Sequence, residues 1–135
     1  MKLVKDFHMT ILISLIVTFL SLYNINSEIV HKFTFFENED KLIHFLMYFG
    51  VTITFLVEYY IRRPLKDTRY YLLGLYPVVL GGVIEIIQRV FTNTRSGDWF
   101  DFWADVTGVV FAYLSFHYLI KFKPLEWYIK TRARG

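Results

Sequence analysis

The chain has no cysteine, which removes disulfides and thiolate metal sites from consideration. It is also poor in charge: 20% of its residues are Asp, Glu, Lys or Arg, against 55% hydrophobic, and its mean hydropathy is +0.38. A soluble domain of 135 residues needs more polar surface than this, and the length allows one small domain, residues 1–135. Basic and aromatic residues are not interleaved as a nucleic-acid surface requires, so the net charge of +3 does not argue for nucleic acid as a partner. No serine sits in a nucleophile context, and no internal repeat or low-complexity segment is present.

What the chain does have is four apolar stretches, at 7–23, 42–61, 70–91 and 102–122. Each is near the ~20 residues that carry a helix across ~30 Å of hydrocarbon. A helix satisfies its own backbone hydrogen bonds, which lipid does not. The expected fold is therefore all-α, a four-helix transmembrane bundle. The first stretch follows Lys2 and Lys5 like a signal peptide, but Leu22-Tyr23-Asn24-Ile25-Asn26 is a poor cleavage site, so it is read as a retained helix.

Orientation follows from the basic residues. Lys2, Lys5, Arg62, Arg63, Lys66, Arg69, Lys121, Lys123, Lys130, Arg132 and Arg134 put 11 on one side, against 4 on the other, Lys32, Lys41, Arg89 and Arg95. The richer side is the cytoplasmic one, giving an N-in, C-in topology. Asp40 is a candidate N-cap for the second helix and Asp98 for the fourth. Pro77 is expected to kink the third helix by removing a backbone donor. The tail beyond Pro124 is expected to lie on anionic lipid. Near the inner surface, Glu58 is expected to pair with Arg62 and His117 to snorkel.

The remaining polar residues fall on helix faces. Asp98, Asp101, Asp105, Gly108, Ala112 and Ser115 are spaced 3, 4, 3, 4, 3 on the fourth helix. Its small residues admit a close neighbour, so the acids point into the bundle with them. Gly74, Gly81, Glu85 and Gln88 make a comparable stripe on the third helix. Lys41, His44, Tyr48, Thr52 and Phe55 make a mixed polar and aromatic face on the second. At 1.5 Å per residue, Asp105 and Glu85 each lie ~9–10 Å inside the outer end of their helices, within reach of His44.

Three chemistries are open to such a set. Carboxylates and an imidazole hold a divalent cation. Paired acids act as general acid and base. Lys41 and Arg95 clamp a phosphate or carboxylate. Against these stands ordinary packing, with Glu85 paired to Arg89 and the aspartates to Lys41 or Arg95. Four acids exceed what two helices need for packing, and buried ion pairs add little stability.

Asp40-Lys41-x-x-His44-Phe45-x-x-Tyr48, then Glu85-x-x-Gln88, an arginine, and Asp98-x-x-Asp101-x-x-x-Asp105-x-x-Gly108 together resemble the VanZ-like family over residues 40–122. Asp105-Val106-Thr107-Gly108 stands where the family often has Asn, so the resemblance rests on Asp101 more than on Asp105. It implies a small multi-pass protein of the bacterial cytoplasmic membrane, in a family whose named member is associated with resistance to the glycopeptide teicoplanin. The family-like set is His44, Glu85, Gln88, Arg95, Asp98 and Asp101, with Lys41 and Tyr48 in support. The expected function is binding or processing of an anionic, lipid-linked envelope ligand near the outer face. His44, Glu85 and Asp101 transfer protons or hold a cation, and Lys41, Gln88, Arg95 and Asp98 hold the ligand. A non-enzymatic binding, shielding or accessory role is the alternative. Ion or proton transport ranks last, because Gly108, Ala112 and Ser115 offer no polar path inward.

Overall fold

The computed structural model describes residues 5–22, 39–62, 72–91, 99–119 and 131. These contain four helices and no strand: α1, His8–Leu22; α2, Glu39–Arg62; α3, Leu75–Phe91; and α4, Trp99–Leu119. The all-helical expectation holds. Residues Glu39–Ile61 and Leu72–Phe91 are long and apolar enough to cross a membrane. α1 is apolar but spans 15 residues, and α4 has 21 residues with lower hydropathy, its sequence interrupted by Asp101 and Asp105.

Side-chain contacts fix the relative directions. Lys41 meets Asp101 and Tyr60 meets Phe116, so α2 and α4 run parallel. Ser14 meets Tyr76 and Ser21 meets Gln88, so α1 and α3 run parallel. Glu58 reaches Met9 while the tilted rings of Phe55 and Phe7 pack together, which sets the start of α1 against the end of α2. The four helices thus alternate in direction, and the start of α2, the end of α3 and the start of α4 gather at one end.

α2 and α4 form the most extensive pair. Gly108 is the reason they approach so closely. A β-carbon there would overlap the Phe45 carbonyl and lie 3.1 Å from the Phe49 amide nitrogen. Above this point the edge of Phe111 meets Phe45, with ring centroids 5.6 Å apart.

The interior is unusually polar. Among the described residues, ten buried ones are polar or charged and eight are hydrophobic, while Leu12, Leu15, Phe19, Val79, Ile86, Val90, Phe111 and Leu114 face outward. α1 shows this most clearly, because its buried face is Thr10, Ser14, Val17 and Ser21. Three polar ties hold that face. Met9 N–H, Thr10 N–H and the Thr10 hydroxyl all donate to the Glu58 carboxylate, at 3.1, 3.0 and 2.7 Å. The Tyr76 hydroxyl donates to Ser14 Oγ at 2.8 Å, and the Gln88 amide donates to the Ser21 carbonyl at 2.7 Å. The first and last ties serve backbone groups at helix ends, which have no partner within their own helix.

Three local expectations are corrected. α2 starts at Glu39, so Asp40 lies in its first turn, where its charge still favours the helix dipole. Pro77 is the third residue of α3 and does not fall mid-helix; it lies in the first turn, where an N–H is not needed for the helical ladder. α4 starts at Trp99, which brings Asp101 inside the first turn. Glu58 accepts from three donors at the start of α1, an interhelical contact that helical spacing alone does not reveal. The candidate cap Asp98 and the basic tail segment 120–130 lie outside the described residues, as does the Arg62 side chain.

Candidate functional site

Three helices contribute to one polar cluster. α2 supplies Lys41, His44 and Tyr48, α3 supplies Gly81, Glu85 and Gln88, and α4 supplies Asp101 and Asp105. His44, Glu85, Gln88, Asp101 and Asp105 are all buried. The stripes read from helical spacing therefore do turn toward one another.

At the centre, His44 Nδ1 and Asp105 Oδ1 are 3.0 Å apart, with Asp105 only 1% exposed. The contact needs one proton shared between the imidazole and the carboxyl, and it fixes the ring orientation. Asp105 fits because α3 presents Gly81 to it. A β-carbon at Gly81 would stand 2.8 Å from Asp105 Oδ2 and 3.2 Å from the Tyr48 ring. Tyr48 closes the cluster on its inner side, itself almost fully buried.

Toward the end of the bundle, Lys41 Nζ lies 3.9 Å from Asp101 Oδ1. Arg89 is exposed and its guanidinium sits 5.2 Å over the ring of Trp99, joining the last turn of α3 to the first of α4. The cluster thus has an acidic, buried interior, and its outer end carries both signs of charge, Lys41 and Arg89 beside Glu39 and Asp40.

Two sets of three groups come within metal-ligand reach. One donor atom each from His44, Glu85 and Asp105 lie within 4.8 Å of one another, and the same holds for Asp40, His44 and Asp101. All three members of the first set are buried, whereas Asp40 in the second is exposed.

Of the residues singled out by sequence, Lys41, His44, Glu85 and Asp101 gather here. Gln88 is at the same level but has an amide donor committed to the Ser21 carbonyl of α1. Arg95 and Asp98 lie outside the described residues. Asp105 is more central than the sequence suggested. Its place on the stripe with Asp101 was one signal, and Gly81 on the stripe of the third helix was another, though neither showed that the two would meet. The hydroxyl face of α1 was also missed, although Thr10, Ser14, Val17 and Ser21 carry a visible 4, 3, 4 spacing. No protein-family model, curated protein or solved structure matches this chain.

Proposed function

We propose that the chain is a multi-pass, VanZ-like protein of the bacterial cytoplasmic membrane, whose α2–α3–α4 cluster receives an anionic, lipid-linked envelope ligand near the outer face. The observation that carries this reading is the meeting of His44, Glu85 and Asp105, from three helices, inside a bundle with an apolar exterior. Ionisable groups are costly in a bilayer and buried pairs return little stability, so their convergence argues for use. α1 and α4 complete four spans in this reading, with the acids of α4 turned away from lipid. Alternating helix directions send both chain ends to the same side, and the excess of basic residues there assigns that side to the cytoplasm.

The cluster then opens outward. Lys41 and Arg89 supply positive charge at its rim, with Arg95 joining them by its place in the sequence, and a phosphate or carboxylate head is what such a rim selects. His44, Glu85 and Asp101, together with Asp105, form the acid-base or cation-holding interior. A relation to glycopeptide protection would follow if the ligand is an envelope precursor.

Native mass spectrometry of the protein purified from bacterial membranes tests the proposal. The expected result is a phosphate-bearing lipid adduct distinct from bulk phospholipid, retained by wild type and lost in the Lys41→Ala/Arg95→Ala double variant. An adduct that survives the double variant, or a wild type carrying bulk phospholipid alone, would sink the reading. Conversion of the adduct during incubation separates an enzyme from a binding or shielding protein.

A further inference from the structure

His44, Glu85 and Asp105 combine two carboxylates with one imidazole, a donor set suited to a cation more than to an anionic head. Donors on neighbouring corners of a first-row metal's coordination sphere, with bonds of about 2.1 Å, stand about 3–3.5 Å apart. His44 Nδ1 and Asp105 Oδ1 are 3.0 Å apart, the proton between them would leave to solvent when a cation binds, and Glu85 offers an oxygen within 4.8 Å of both partners' donor atoms.

A second observation is independent of that spacing. Asp105 Oδ2 is buried and has no hydrogen-bond partner among the described residues. It points at α3, where a β-carbon on Gly81 would meet it at 2.8 Å. Glu85 follows Gly81 by one turn on the same face, so this oxygen is aimed at the side of α3 that carries the second carboxylate. A buried carboxylate oxygen left without a partner is destabilising, and a bound cation would satisfy it.

We propose that His44, Glu85 and Asp105 form a binding site for one first-row divalent cation, Mn²⁺ or Zn²⁺. Mg²⁺ and Ca²⁺ prefer all-oxygen shells, whereas imidazole beside carboxylates suits the first-row ions. Three protein ligands leave coordination positions open for water or for an oxygen of an anionic ligand. The set Asp40, His44 and Asp101 is the weaker choice, because Asp40 is exposed and the Lys41 ammonium already lies 3.9 Å from Asp101. The role of the cation in ligand capture rests on the functional reading above; the site itself does not.

The test uses the full-length protein in lipid nanodiscs, stripped with chelator and titrated with Mn²⁺ alone, free ion being followed by electron paramagnetic resonance. Wild type should bind one ion per chain, displaceable by Zn²⁺. Glu85→Gln and Asp105→Asn should each weaken binding at least about tenfold, whereas Asp40→Asn and Glu58→Gln should stay within about twofold. Helical circular dichroism and elution as a single species establish that each variant is folded; should Asp105→Asn fail this, the isosteric Glu85→Gln decides. Absence of a stoichiometric ion in wild type overturns the proposal. Undiminished binding in Glu85→Gln, or loss in Asp40→Asn alone, does so equally. Because Mn²⁺ is titrated without lipid-linked ligand, bound metal with no lipid adduct would sink the functional reading and leave this site standing, and the reverse result would do the opposite.

Discussion

Asp101 and Asp105 stand one turn apart on the same face of α4, and their surroundings give them different parts. The Asp101 side chain keeps 13% of its exposure and faces Lys41 at 3.9 Å. Asp105 is almost fully enclosed, bonded to His44 on one oxygen and aimed at Gly81 with the other. A partly solvated ion pair contributes up to ~1 kcal/mol, whereas a buried bond between charged groups contributes ~1.5–3 kcal/mol and leaves its partner stranded when broken. Asp105→Asn should therefore lower thermal stability in detergent about twice as much as Asp101→Asn, read as unfolding midpoints. Equal losses would mean that the His44 contact is no stronger than the one to Lys41.

Between elements, the closest approach is made by Gly108 of α4 against the backbone of α2 at Phe45 and Phe49. An added methyl has nowhere to go, since it meets main chain and no movable side chain. Gly108→Ala should cost about 1–3 kcal/mol by forcing the two helices apart, and it should also loosen the His44–Asp105 contact one turn away. Gly50 of α2 is the matched control, because nothing lies within 4 Å of a β-carbon there. Gly50→Ala should be neutral or stabilise by up to ~1 kcal/mol through helix propensity. Midpoints from thermal melts of the two variants distinguish a packing effect from a general intolerance of substitution. α1 is held differently, by hydrogen bonds to Glu58, Tyr76 and Gln88 along a face of small hydroxyl residues. Small residues and interhelical hydrogen bonds are what remains to join helices when apolar burial gives no preference over lipid.

For the molecule as a whole, the polar interior and apolar exterior match a lipid surround, and the alternation of helix directions sends α1 and α3 one way and α2 and α4 the other. The proposed topology makes a direct prediction. Because the natural chain has no cysteine, single substitutions report sidedness without background. In intact cells Asn26→Cys and Asn93→Cys should react with a membrane-impermeant maleimide, and Thr131→Cys should react only after permeabilisation. Labelling of Thr131→Cys in intact cells would invert the topology, and with it the assignment of the cluster to the outer face.

Helical periodicity and hydropathy were local properties, so they were legible in the chain: four helices, inward stripes on α2, α3 and α4, and the identity of most clustered residues. The spacing of Gly81, Glu85 and Gln88 correctly marked a buried face, because residues three and four apart share one side of any helix. Helix starts were less legible, since Glu39 and Trp99 extend α2 and α4 beyond the apolar runs used to define them. Pairing across helices was legible only in part: the Lys41–Asp101 contact was among the pairings considered, and the contacts of Glu58 with α1 were not. Glu58 accepts from three donors on α1, and Asp105 becomes central because Gly81 leaves room for it. The sequence by itself determined which residues lie on a common face. Only the tertiary structure decided which side chains of those faces touch, because partners depend on how closely two backbones approach, and at Gly81 and Gly108 that distance depends on the missing β-carbon.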